Sequence, residues 1–96
     1  MLTHEEIYSA VRACLKKYNA DYALLFGSYA RGEANENSDV DLVIIGGEGF
    51  HPTDIFAIAD DLYNAWGIAV DVYEMQEIDK DAPLYDAIMR EGVKIA

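Results

Sequence analysis

Two apolar runs separated by a polar loop constrain this chain most: Tyr22 to Phe26, then Gly27-Ser28, then ten residues, then Asp39-Val40-Asp41 opening Leu42 to Ile45. Short apolar runs bounded by turn formers read as buried strands. A strand sends alternate side chains to opposite faces, so Asp39 and Asp41 share one face, with Cα atoms about 6.6–6.8 Å apart. Leu42 to Ile45 then leave the rest of that strand apolar on both faces. Two carboxylates at the end of an otherwise buried strand repel each other, and burial raises the cost of their charge. A divalent cation relieves both costs. Oxygen donors with no His or Cys nearby favour Mg²⁺ or Mn²⁺ over zinc. Asp-x-Asp and Gly-Ser are each common alone. Their joint placement is not, with Gly-Ser closing one apolar run and the carboxylate pair opening the next.

Gly27, Ser28, Ala30, Arg31, Gly32, Ser38, Asp39 and Asp41, in the stretch GSYARGEANENSDVDLVI, resemble the active-site signature of the DNA polymerase beta-like nucleotidyltransferase superfamily. The short chain is similar to the minimal nucleotidyltransferase (MNT) branch, whose members resemble the antitoxins paired with HEPN-domain toxins. The resemblance implies a nucleotidyltransferase-like α/β (α+β) fold, a small mixed β-sheet with helices. The signature spans about a fifth of the sequence, and the order of predicted elements extends the match over nearly all of it.

Ninety-six residues suit a single domain, 1–96, with one modest core. Apolar residues make up 52% and are spread throughout, which excludes a disordered chain. No run approaches the roughly 20 apolar residues that span a bilayer. Thr3, His4, Glu5 and Glu6 lack the basic-then-apolar order of a signal peptide. Cys14, the only cysteine, cannot form an internal disulfide and fits a reducing cytoplasm. Seven basic against eighteen acidic residues give a net charge of −11, which argues against direct nucleic-acid binding. That acidity either steers a basic protein partner or serves solubility.

Along the chain, residues 3 to 18 read as an amphipathic helix. Thr3 and Glu6 have capping-box spacing, and Ile7, Ala10, Val11, Cys14, Leu15 and Tyr18 form the apolar stripe. On that stripe Cys14 is a small core residue rather than a nucleophile, and His4 in the first turn is exposed. Tyr22 to Phe26 form the first strand, and Ser28 to Gly32 a short helical turn offering backbone N–H groups and a hydroxyl to a phosphate. Arg31 either presents its planar donor fork to the same anion or pairs with a neighbouring acid. Gly46 to Pro52 lack the Gly-Lys-Ser/Thr of a phosphate loop and the full dinucleotide glycine pattern, and His51 has no second ligand at zinc spacing. Thr53 to Trp66 read as a second long helix, capped by Thr53 and ended by Gly67. Ile68 to Tyr73 form the third strand, Met75 to Asp81 a polar connector, and Pro83 to Arg90 a last helix stopped by Gly92. Val93 to Ile95 are either a short strand or a tail. The predicted order is α-β-β-α-β-α.

Asp71 sits mid-strand, where a carboxylate is costly unless compensated. It is either an edge-strand residue facing water or a third functional acid. In the resembled superfamily a third acid comes from the strand after the helix, next to the strand bearing the pair, and Asp71 is the acid in that place. The resemblance thus implies catalytic and metal-binding roles for Asp39, Asp41 and Asp71, and nucleotide binding by Gly27, Ser28 and Arg31. It implies Mg²⁺, two ions with Mn²⁺ as an alternative, and ATP as nucleotide donor. The acceptor it implies is a tyrosine hydroxyl of a HEPN toxin ribonuclease, adenylylated by its antitoxin. Two other functions stay open: an antitoxin that acts by binding alone, and a subunit that modifies a small molecule of the aminoglycoside type.

Overall fold

The apolar stripes and runs meet around a mixed four-stranded sheet in the computed structural model, which describes residues 1–96. Helix α1 (His4–Lys17) starts at a complete capping box. Thr3 Oγ1 accepts the Glu6 backbone N–H at 3.1 Å, and Glu6 Oε1 accepts that of Thr3 at 3.1 Å. The helix buries Ile7, Val11, Cys14 and Leu15. Strand β1 (Tyr22–Phe26) runs directly into the five-residue helix α2 (Gly27–Arg31), and a polar loop leads to β2 (Val40–Ile45). Helix α3 (Asp54–Trp66) then crosses to β3 (Val70–Glu74). A 3₁₀ turn (Met75–Glu77), helix α4 (Pro83–Glu91) and strand β4 (Val93–Ile95) complete the chain.

The strands lie in the order β3-β2-β1-β4. β1 pairs antiparallel with both β2 and β4, whereas β2 and β3 are parallel. A parallel pair needs a long crossover, and α3 supplies it. On one face Ala23, Leu25, Val40, Leu42, Ile44 and Ile95 pack under α1 and α3 against Ile7, Val11, Cys14, Leu15, Ile58 and Leu62. On the other, Phe26 and Val43 pack with Ile88 of α4, flanked by Leu24, Ile45, Tyr73 and Leu84. β2 is thus covered on both faces, the physical reason for its unbroken apolar run.

The structure refines the expected elements at three points. Val93–Ile95 is a strand, because its backbone completes the free edge of β1 and Ile95 is fully buried. β3 begins at Val70, two residues late, since Gly67 turns the chain in the left-handed region at φ 68°. Thr53 precedes α3 but does not cap it through its side chain. Its own backbone is helical, and the first α3 N–H groups instead reach the His51 carbonyl (2.8 Å) and the Pro52 carbonyl (3.3 Å). Cys14 is buried as expected. His4 is exposed, yet its Nε2–H donates to the Tyr29 carbonyl at 2.9 Å and ties α1 to α2. No helix is long and apolar enough to cross a membrane.

Leu42, fully buried in a central strand, is the test of this packing. Leu42→Ala is expected to lower unfolding free energy by about 2–5 kcal/mol in urea titration followed by circular dichroism. Thr3→Ala, at the exposed cap, is expected to cost only about 1 kcal/mol.

Candidate active site

Strand register builds the site. Asp41 stands opposite Phe26 on β1 and opposite Asp71 on β3, so all three side chains share the sheet face that α4 covers farther along. Neighbouring strands run about 4.8 Å apart, which brings the two carboxylates side by side. Asp71 is on an edge strand and exposed to solvent, as the first of its sequence readings expects, and it also faces Asp41. Asp39 has the same strand parity but precedes β2, outside the ladder and exposed.

The crowding has an electrostatic signature at Asp41, the half-buried member. Its carboxyl is pushed up to about 6, first by burial, then by the charge of Asp71 and a hydrogen bond with it, then by the charge of Asp39. Arg31 alone opposes the rise. Tyr73, two residues beyond Asp71, has its phenol raised by burial and by the charges of Asp71 and Asp41. Its ring lies 6.0 Å from that of Phe26 and walls the site on that side.

Gly27 is required here twice over. It joins β1 to α2 at φ 75°, where side chains are disfavoured, and a Cβ at this position would run into the Asp41 carboxylate. The start of α2 therefore lies directly against Asp41. No side chain caps its first turn, and Ser28, half-buried, follows immediately. Tyr29 is buried and anchors α2, with its carbonyl held by His4. Arg31, the last residue of α2, is engaged by two acids: its Nε–H donates to Glu33 Oε1 at 2.6 Å, and Nη1 donates to Glu91 Oε1 and Oε2 at 3.1 and 3.2 Å. Glu33 lies two residues away and was visible in sequence as a neighbouring acid. Glu91 is sixty positions distant, and no local pattern points to it.

The structure thus brings Gly27, Asp41 and Asp71 into one row, with Asp39 acting on Asp41 through charge and Arg31 within electrostatic reach. No three His, Cys, Asp or Glu side chains are gathered as a ready-made metal cluster. The donor set is nevertheless chemically suited to a hard divalent cation. It is all carboxylate oxygen, and its mutual repulsion is what a cation would relieve. Beside Asp71, a groove of about 220 Å³ runs between α3 and β3, lined by Ile55, Phe56, Ala59, Val70, Val72 and Tyr73. A larger groove of about 560 Å³ between α1 and α3 contains none of these acids.

Comparison with known proteins bears on the family and the fold. A family model described as "Polymerase beta, Nucleotidyltransferase" matches residues 10–96. The curated "Putative protein adenylyltransferase MJ0435" of Methanocaldococcus jannaschii is 34% identical over 90 residues, covering 94% of this chain and 95% of that protein. A solved structure described as a "putative minimal nucleotidyltransferase" superposes with a TM-score of 0.75 at 31% identity, covering 93% of this chain and 89% of the other. A chain from the complex of a tri-AMPylated Shewanella oneidensis HEPN toxin with an MNT antitoxin gives a TM-score of 0.66 at 18% identity, covering 96% of this chain and 67% of the other. That last likeness is one of fold.

The raised carboxyl of Asp41 has a definite sign in stability. Its protonated form is favoured by folding, so its contribution is fully present below the ordinary carboxyl value of 3.8 and is lost as pH rises through about 6. Asp41→Asn is expected to flatten that part of the stability–pH curve and to stabilise the protein at pH 7. Solvent screening at this half-buried position keeps the gain to about 1 kcal/mol, or roughly 4–8 °C in Tm. Thermal melts of both proteins from pH 4 to pH 7.5 check this; equal curves would remove the electrostatic strain from the site.

Proposed function

The chain belongs to the polymerase beta nucleotidyltransferase family, and we propose that it is an MNT-type antitoxin that moves AMP from ATP onto a tyrosine hydroxyl of a partner HEPN toxin ribonuclease. The observation that carries this reading is the row formed by Gly27, Asp41 and Asp71, a glycine turn set against two facing carboxylates. A protein adenylyltransferase name on a relative of nearly equal length supports it, as does a fold shared with a chain from a HEPN toxin–MNT antitoxin complex.

In the reaction the tyrosine oxygen attacks the α-phosphorus of ATP. The bond from that phosphorus to the oxygen bridging the β-phosphate breaks, and pyrophosphate leaves. Little covalent work falls to the protein, so positioning and electrostatics dominate. Gly27 turns the chain into α2 with room for the Asp41 carboxylate beside it, and Gly27, the Ser28 hydroxyl and the Arg31 guanidinium hold the β- and γ-phosphates. Asp39 and Asp41 would hold magnesium, two ions in this reading and replaceable by Mn²⁺, with Asp71 as a further ligand on the acceptor side. Bound magnesium supplies charge neutralisation at the α-phosphate and the leaving pyrophosphate. Asp71 stands on the solvent side of Asp41, where an acceptor arrives from outside. It orients the attacking hydroxyl and takes up its proton. With a net charge of −11, the protein repels a bare triphosphate, so nucleotide binding and cation binding go together.

The test is transfer of label from α-³²P-ATP, with Mg²⁺, to a HEPN protein encoded beside this chain, with an aminoglycoside panel in parallel. Label is expected on the HEPN protein, on a tyrosine located by mass spectrometry. Joint replacement Asp39→Asn and Asp41→Asn removes several kcal/mol of transition-state stabilisation and should lower transfer roughly a hundredfold or more. A variant that still neutralises the toxin without transferring label would establish neutralisation by occlusion. Label on an aminoglycoside alone would move the protein to the small-molecule class.

A further inference from the structure

We propose that Glu91 sets the nucleotide affinity of this site by competing with the triphosphate for the Arg31 guanidinium, so that ATP enters by displacing a carboxylate already in place. The inference rests on reading Arg31 as a phosphate ligand and assigns a role to an acid outside the signature stretch.

Arg31 is three residues beyond Ser28 on the helix that begins at Gly27, and it is the cation whose charge is felt at Asp41. Its guanidinium is not free. Nη1 is shared between both carboxylate oxygens of Glu91 at 3.1 and 3.2 Å, and Nε–H is on Glu33 at 2.6 Å. The two acids differ in how firmly they are held. Glu33 has a side chain 64% exposed and belongs to the loop after α2. Glu91 is only 23% exposed and is the last residue of α4. Gly92 follows it immediately, where a Cβ would clash with the Ile88 carbonyl and would reach van der Waals contact with Leu24 of β1. Glu91 is therefore the more buried of the two acids and is carried by a helix, whereas Glu33 stands exposed just after α2.

The charge balance explains why such a pair sits here. A cation beside three carboxylates in a strongly acidic protein is drawn to acids whenever no phosphate is present. Removing that competitor leaves Arg31 available before nucleotide arrives. Exposed and half-exposed ion pairs are worth a fraction of a hydrogen-bonded buried one, which fixes the scale. Deleting the Glu91 charge should tighten nucleotide binding by about two- to fivefold. An arginine–phosphate contact is the stronger pairing, which is why the exchange runs toward nucleotide at all.

The experiment is calorimetric titration of the full chain with AMP-PNP and Mg²⁺. Glu91→Gln is expected to lower Kd two- to fivefold, and Glu91→Asp, which keeps the charge, to stay close to the parent. Arg31→Ala is expected to weaken binding, and adding Glu91→Gln to it should change nothing more, because the competition needs the arginine. Thermal melts confirm that each variant is folded. If Glu91→Gln melts early, Glu33→Gln at the exposed end of the same cluster provides the second reading and should also tighten binding. Weaker or unchanged binding in a folded Glu91→Gln variant, with Arg31→Ala still weakened, overturns the inference while leaving Arg31 as a phosphate ligand. Unchanged binding in Arg31→Ala overturns the reading of Arg31 itself, and the inference with it.

Discussion

The repulsion between Asp41 and Asp71 is the constraint on which the rest of the structure depends. Strand register places them side by side, and nothing in the chain neutralises both. A fold optimised only for stability would replace one of them with an apolar residue, as it does at every other inward position of β2. The sheet instead tolerates a carboxyl raised to about 6 near the start of β2. Its rigidity comes from elsewhere: Leu42 and Ile44 under α1 and α3 on one face, Phe26, Val43 and Ile88 on the other. Strain concentrated in one row and stiffness surrounding it is the arrangement expected of a site preorganised for charge.

Much of this was legible in sequence because the relevant signals were local. Gly27-Ser28 and Asp39-x-Asp41 lie within one stretch, and period-two alternation predicts one face for the two acids, of which only Asp41 lies within β2. The capping box at Thr3 and Glu6 and the left-handed stop at Gly67 are likewise written in consecutive residues. Asp71 was the intermediate case. Its position in a short strand marked it as costly, but only the parallel register with β2 makes it the partner of Asp41.

What the sequence did not disclose depends on distant contacts. No local pattern ties Glu91 to Arg31, or His4 to the Tyr29 carbonyl, because each joins elements that meet only in the folded chain. Val93–Ile95 is ambiguous for the same reason, since three residues become a strand only when β1 offers an unpaired edge. Thr53 misleads in the opposite direction: its residue type suits a cap, but the preceding turn is already helical and its backbone carbonyls do the work.

The placement of the strands also bears on how copies of this chain coexist at high concentration. A sheet of four strands has two open sides, and an unpaired strand is a template on which another molecule can add its own. One side here ends in β3, whose one exposed residue is Asp71, second in the strand; the other ends in β4, three residues long with a solvent-facing Lys94. A charge on one border, and brevity with a lysine on the other, both discourage fibre-like growth. The acid that faces Asp41 across the sheet thereby also discourages strand addition at this edge.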